Sequence, residues 1–375
     1  MARDEGGALF DGGQLAGIHR DLKQAIQEIM STTIEPTRST RSQTNRGRFH
    51  TLTAVQVLGT GAFAPANVVR NEDLSELGHD AEWIFQRTGI HERRHALSDA
   101  VTSDLAFNAA IQCLDEADVS IGDVDLIVVG TVTPDRPMPS AACILQQKLG
   151  SNAPAFDLNA ACSGFIYALA TGAQFVKTGH SERVLVVGAD LMSRIVNPAD
   201  KRTYPLFGDG AGAVLLGPGS DEQGLLSYML GADGEGAGVL CIPAGGTEEP
   251  ASAAALEAGR QFMHMDGRAV FKWAIRTVSD ALRETLHHAG KSIQDVDALV
   301  LHQANIRIID AVIDELGIDP VKAIVNVDQY GNTSAGSIPL ALAEARRQDR
   351  ISRGDLVLMC GFGAGLTWGT ALLRW

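Results

Sequence analysis

The octapeptide Ile121-Gly-Asp-Val-Asp-Leu-Ile-Val128 returns as Ile293-Gln-Asp-Val-Asp-Ala-Leu-Val300, at an offset of 172 residues. Each copy is a polar turn that opens an apolar run, which reads as the entry to a buried strand. The same offset sets Gly164 over Gly336, each opening a helical stretch, and Val184 close to Val357, each opening an apolar strand. Three features in register mark a duplication. The halves join near residues 217–225 (GPGSDEQGL). Around the octapeptides, short β-rich runs alternate with amphipathic helical stretches, the pattern of a layered α/β architecture. The spacing predicts strands at 53–58, 126–132, 184–188, 213–216, 299–301 and 356–360. Helices are expected at 103–117, 140–148, 164–178, 270–288, 307–316 and 338–348. Duplicated halves packed face to face bring corresponding loops together at a pseudo-two-fold axis. A site there draws residues from both halves.

The chain has 375 residues, 45% hydrophobic and 20% charged, a globular composition with ample material for a core. Lys and Arg number 31 against 45 Asp and Glu, giving a formal charge of −14 and an isoelectric point near 5.1. That balance argues against nucleic acid or an anionic membrane surface as the main partner. The cysteines (Cys113, Cys143, Cys162, Cys241 and Cys360) are scattered, with no CxxC pair. Neither a zinc ribbon nor a disulfide framework is indicated. No apolar stretch approaches the ~20 residues of a membrane span. The first residues lack the basic start and apolar core of a signal peptide. A reduced, cytoplasmic protein without a metal site is the expectation.

Residues 1–52 stand apart. Leu15, Ile18, Leu22, Ile26 and Ile29 recur at helical spacing, while the run from Pro36 to His50 holds four arginines and no acid. The second feature reads as a flexible linker. The expected organisation is a flexible extension over 1–52 with room for one short helix, a first half over 53–222 carrying a cysteine nucleophile, and a second half over 223–375 carrying a histidine and an asparagine.

Cys162 lies in Ala155-Phe-Asp-Leu-Asn-Ala-Ala-Cys-Ser-Gly-Phe165, where a short strand runs into a turn and a helix opens. From Ser163 to Thr178 only Lys177 is charged, so that helix is expected to be buried. The positive end of a buried helix favours a thiolate at the residue opening it. Cys162 is therefore the candidate nucleophile, with a thiol expected to titrate below its ordinary range. Cys113, Cys143 and Cys241 read as small packing residues. His302 follows an apolar run at the strand edge where α/β sheets hold their sites; His180, His287 and His288 lie in polar surroundings without such a setting. Asn332 sits in Gln329-Tyr-Gly-Asn-Thr-Ser-Ala-Gly-Ser-Ile-Pro339, a polar, glycine-flanked turn before a helix where asparagine is usually only a cap or a left-handed residue. Gly361-Phe-Gly-Ala-Gly-Leu-Thr-Trp-Gly369 runs into a strand and not a helix, so it is no dinucleotide loop. It can instead bring backbone N–H groups to a reacting carbonyl.

Together these segments resemble β-ketoacyl-[acyl carrier protein] synthase III, the condensing-enzyme family that begins bacterial fatty-acid synthesis. The matching stretches are Glu82–Arg94 (EWIFQRTGIHERR), Pro139–Cys143 (PSAAC), Ala160–Phe165 (AACSGF), Phe207–Gly212 (FGDGAG), Leu301–Arg307 (LHQANIR), Gly331–Ala335 (GNTSA) and Phe362–Trp375. The resemblance covers residues 53–375 and implies a thiolase-like fold, two duplicated layered α/β halves related by a pseudo-two-fold axis. It also implies a ping-pong reaction. Cys162 takes an acyl group from acyl-CoA; malonyl-acyl carrier protein then loses CO2 and attacks the acyl-enzyme. His302 and Asn332 would stabilise the enolate by hydrogen bonds to its oxygen, and the N–H groups of Cys162 and Ala364 would form the oxyanion hole. Many relatives carry glycine where Ala364 stands.

By the same resemblance, CoA contacts fall on Trp83, Arg87, Lys201 or Arg202, Gly267 and Phe271. The acyl pocket falls on Met138 and Phe362, and carrier-protein docking on Lys272 and Arg307. Met138 matches a position that reaches across a homodimer into the partner's acyl pocket, where a flexible methionine points to short or medium primers. Acyl-CoA and malonyl-acyl carrier protein are substrates, and no cofactor is implied. Other classes stay open: a same-fold enzyme that primes a polyketide, a cysteine hydrolase, and an inert binding scaffold. A papain-like layout does not fit duplicated halves, and a scaffold does not fit three filled reactive positions.

Overall fold

The computed structural model describes residues 48–375; the helical spacing over Leu15–Ile29 and most of the arginine-bearing linker lie outside the described residues. The first half runs β1 (His50–Thr53), β2 (Val55–Phe63), β3 (Val68–Arg70), α1 (Ala81–Thr88), β4 (Glu92–Arg94), α2 (Thr102–Ala117), β5 (Leu126–Gly130), α3 (Ala141–Leu149), β6 (Ala155–Leu158), α4 (Gly164–Lys177), β7 (Val184–Leu191) and β8 (Asp209–Pro218). The second runs β9 (Gly224–Ala232), β10 (Leu240–Cys241), α5 (Ala253–Glu257), β11 (His264–Met265), α6 (Gly267–His288), β12 (Ala298–Leu301), α7 (Ile306–Leu316), α8 (Val327–Tyr330), α9 (Ser337–Arg347), β13 (Leu356–Gly363) and β14 (Thr367–Arg374).

Two five-stranded mixed sheets form, β2-β8-β7-β5-β6 from the first half and β1-β9-β14-β13-β12 from the second half with β1 added at its edge. The central pairs correspond: β5 is parallel to β7, and β12 to β13. Strand side chains alternate between faces, and here the alternation separates two packing layers. Val128, Val186, Val300 and Val357 face a core shared with α4 and α9. Ile127, Val129, Leu185 and Val187 face α2 and α3 on the outside of the first sheet. Leu299, Leu301 and Leu358 face α6 and α7 on the outside of the second. The result is five layers, helix–sheet–helix–sheet–helix, with α4 and α9 in the middle. Both sheets are covered on both faces, which is why their central strands read as continuous apolar runs.

β1 departs from the duplication. It pairs antiparallel with β9 and so adds the strand that precedes β2 to the edge of the second half's sheet. The extension expected over 1–52 thus gives residues 50–52 to a strand. Ala54, at φ 64°, makes the sharp turn between β1 and β2. Among the described residues no helix is long and apolar enough to cross a membrane.

Candidate active site

β6 leads into a single tight helical turn, Ala161–Ser163, directly before α4. Ala161 takes φ 50°, a left-handed conformation that makes the chain bend one residue ahead of Cys162. The duplicate turn before α9 does the same at Ser334, φ 51°. The Cys162 turn is tied to the glycine-rich loop of the second half through hydroxyls. Ser163 Oγ lies 2.9 Å from Thr367 Oγ1, which in turn lies 2.9 Å from the Ala160 carbonyl and 3.1 Å from that of Ala364. A Cβ on Gly363 would sit 2.6 Å from the Cys162 nitrogen, so only glycine lets this strand pass so near the nucleophile.

His302 follows β12 and donates its backbone N–H to the Cys360 carbonyl on β13 at 2.8 Å. Its ring is 2% exposed, meets Phe362 edge to face at 5.1 Å between centroids, and contacts Ser337 Oγ through Nδ1 at 2.7 Å. Asn332 is set by the other half. Its N–H donates to the Leu206 carbonyl at 2.8 Å, and its own carbonyl accepts from the Gly208 N–H at 3.0 Å. The side-chain Oδ1 accepts from the Ser334 N–H at 2.9 Å, which leaves Nδ2 as the free donor.

Cys162, His302, Asn332, Phe362 and Ala364 all line one cavity of about 1280 Å³. Its electrostatics correct one expectation. Burial pushes the Cys162 thiol up to about 12, opposed by hydrogen bonding and reinforced by the charge of buried Asp190. Cys162 does not open α4 but sits in the middle of the turn before it, and is only 8% exposed. Burial alone pushes the His302 imidazole down to about 3. At neutral pH the site therefore holds a thiol and a neutral imidazole, not an ion pair.

Arg87, Arg202, Gly267, Phe271 and Arg307 line the outer part of the same cavity, and Lys201, beside Arg202, does not. Arg307 lies over the Phe271 ring at 5.5 Å. Trp83 sits outside the cavity on α1, 36% exposed, stacked on His79 at 3.6 Å and under Arg87 at 4.8 Å. Lys272 is exposed on α6 beyond the cavity lining. Met138 is 84% exposed and is not part of its own chain's cavity. Sequence reading missed the apolar wall formed by Met192, Ile195, Leu240, Met263 and Met265. These come from separate segments that share no motif.

Residues 156–234 match the family described as 3-oxoacyl-[acyl-carrier-protein] synthase III, and residues 286–375 match that family's C-terminal description. A β-ketoacyl-[acyl-carrier-protein] synthase III of Rhodopirellula baltica is 52% identical over 342 residues, 86% of this chain and 99% of the relative. The crystal structure of 3-oxoacyl-[acyl-carrier-protein] synthase III from Aquifex aeolicus VF5 is 41% identical, covers 86% of this chain and 100% of that one, and superposes with a TM-score of 0.79. The priming β-ketosynthase of the R1128 polyketide pathway is 37% identical over 87% of this chain and 98% of its own, also at 0.79. With a duplicated five-layer fold and Cys162, His302 and Asn332 drawn from both halves into one cavity, the chain belongs to the β-ketoacyl-[acyl-carrier-protein] synthase III family.

Proposed function

We propose that this protein transfers an acyl group from acyl-CoA to Cys162 and condenses it with malonyl-acyl carrier protein, the initiating step of fatty-acid synthesis. The observation that carries this reading is the convergence of Cys162, His302 and Asn332 on one cavity. In the first half-reaction the Cys162 sulfur attacks the thioester carbonyl; the C–S bond to CoA breaks, and the thiol proton ends on the CoA sulfur. The exchange balances because the Cys162 thiol gives up its proton as the new C–S bond forms and the leaving CoA thiolate takes one up. Backbone N–H groups of Cys162 and Ala364 stabilise the transient oxyanion.

In the second half-reaction the malonyl C–C bond breaks, CO2 leaves, and the electron pair moves into the enolate. Asn332 Nδ2 and the neutral His302 ring donate hydrogen bonds to the enolate oxygen. The enolate carbon then attacks the acyl-Cys162 carbonyl and releases the Cys162 thiolate, which takes a proton from solvent. Neutral donors suit this step: an imidazolium would put a full charge into a desolvated site.

Arg87, Arg202 and Arg307 at the mouth support recognition of CoA phosphates and of an acidic carrier protein by a chain whose net charge is −14. Trp83, stacked at the surface beside Arg87, fits adenine stacking. The exposure of Met138 supports a homodimer in which this side chain enters the partner's acyl pocket. Cytoplasmic location is part of the same reading. Similarity to the R1128 priming enzyme supports a second reading, a starter unit destined for a polyketide.

The deciding experiment incubates the protein with a panel of acyl-CoAs, maps the added mass by mass spectrometry, then adds malonyl-acyl carrier protein. An acyl adduct on Cys162 converted to 3-oxoacyl-carrier protein is expected. Acetyl-, isobutyryl- or octanoyl-CoA as donor supports fatty-acid initiation, and refusal of all three moves the protein to the polyketide reading. Release of free acid would place it among hydrolases.

A further inference from the structure

We propose that Ser337 is a positioning residue for His302, its hydroxyl holding the imidazole as the tautomer with the proton on Nε2. This rests on the condensing role proposed above only for its consequence; the tautomer itself follows from hydrogen-bond geometry. Ser337 opens α9 and is 2% exposed, and its Oγ has two partners among the described residues. One is His302 Nδ1 at 2.7 Å; the other is the Gln303 backbone N–H, which donates to it at 3.4 Å.

Two arrangements of protons are conceivable, and counting donors separates them. If Nδ1 carried the proton, it and the Gln303 N–H would both donate to Ser337 Oγ. The serine proton would then be left in a buried site without an acceptor, an unfavourable arrangement. If the serine O–H donates to Nδ1, its oxygen still accepts from Gln303 and each group is paired. The proton then sits on Nε2.

The surrounding framework holds this arrangement in place. The Gln303 side chain donates to the Leu301 carbonyl at 2.8 Å and accepts from the Asn326 N–H at 3.0 Å, and Phe362 packs edge to face on the imidazole. Asn332 is fixed in the matching sense, its Oδ1 taken by the Ser334 N–H. Ser334 in the turn before α9 and Ser337 at the start of α9 thereby make both candidate groups donors. With the opposite tautomer, His302 would present a lone pair to an oxygen that gains negative charge as CO2 departs.

Nitrogen-15 NMR of the full chain labelled at histidine tests the tautomer, with the His302 signals identified by their loss in His302→Gln. A protonated Nε2 and an unprotonated Nδ1 are expected, and the reverse pattern in the wild type overturns the proposal whether or not the protein is a condensing enzyme. Ser337→Ala should lower malonyl decarboxylation and condensation about 10- to 100-fold, at or below the loss of ~10²–10³ for deleting an oxyanion donor itself. Acylation of Cys162 by acyl-CoA should change less than about threefold, and Ser337→Thr should restore condensation. Equal loss of both half-reactions in Ser337→Ala, or condensation at the wild-type rate, also overturns it. Failure of the wild type to acylate Cys162 would sink the proposed function while leaving the tautomer result standing.

Discussion

Ser163 and Thr367, 204 residues apart, share a 2.9 Å hydroxyl contact that locks the nucleophile turn of one half to the glycine-rich loop of the other. Both hydroxyls converge on the Ala160 carbonyl, at 2.6 and 2.9 Å. The contact sets the spacing between the backbone of Cys162 and that of Ala364. Thr367→Val keeps the shape but removes the tie between the two turns, while Ser163 still donates to the Ala160 carbonyl. It should destabilise the fold by about 0.5–1.5 kcal/mol and slow Cys162 acylation by about tenfold in single-turnover assays. An unchanged acylation rate would show that the loop needs no such tie.

Asn332 is placed through its backbone bridge to Leu206 and Gly208, so the turn is sensitive to bulk beneath it. A Cβ on Gly208 would lie 2.2 Å from the Tyr330 carbonyl oxygen. Gly208→Ala should push the Asn332 turn away and cost condensation about 10²-fold, the penalty typical of a 1 Å misplacement. Cys162 acylation, which does not use Asn332, should persist. The measurement is the ratio of the two half-reaction rates.

Cys162→Ser should abolish acyl-enzyme formation from radiolabelled acyl-CoA, and retained label would remove Cys162 from its role. His302→Ala and Asn332→Ala should still acylate but lose malonyl decarboxylation by about 10²-fold or more. Normal condensation by either variant means its side chain does not hold the enolate.

The titration behaviour of the pair is opposite in sign for its two members. Cys162 is raised from 9.0 to about 12, so its contribution to stability is whole below pH 9 and fades as pH climbs toward 12. His302 is lowered from 6.5 to about 3, so its contribution is whole above pH 6.5 and is lost as pH falls toward 3. Alkylation of Cys162 by iodoacetamide should therefore keep rising through pH 10; a plateau near pH 8 would contradict the buried thiol. The urea midpoint of the wild type should fall more steeply between pH 6.5 and 4 than that of His302→Gln.

Arg93 is fully buried and serves the same turn from below. It donates to Asn71 Oδ1 at 2.8 Å, to the Pro205 carbonyl at 2.7 Å and to that of Val69 at 3.2 Å. Burial lowers its guanidinium to about 10. Arg93→Met strands these acceptors and should cost about 3 kcal/mol or more in denaturant unfolding.

Much of the architecture was readable along the chain. The 172-residue repeat marks the same polar turns, Ile121–Asp123 and Ile293–Asp295, that the structure places before β5 and β12. The apolar runs at 184–188 and 356–360 lie within β7 and β13, because strands covered on both faces need no polar alternation. β9 escaped notice. Its residues Leu225, Leu226, Ser227, Tyr228, Met229 and Leu230 follow no simple period, since one face meets the central core and the other the outer helices. β1 escaped too, because nothing local tells a segment to join the sheet of the other half.

The sequence by itself determined the duplication and the layered α/β class and singled out Cys162, His302 and Asn332, which the structure brings to one cavity, because periodicity, turn chemistry and motifs are properties of neighbouring residues. It did not determine their ionisation: the helix-end argument predicted a lowered thiol, and desolvation, which depends on what the whole fold packs around the sulfur, raised it. Nor did it reveal the contacts of Ser337 with His302 or Ser163 with Thr367, which exist only once the halves close on each other. Local order follows from the chain's spacing, whereas charge and proton placement follow from burial, and burial is decided by tertiary structure.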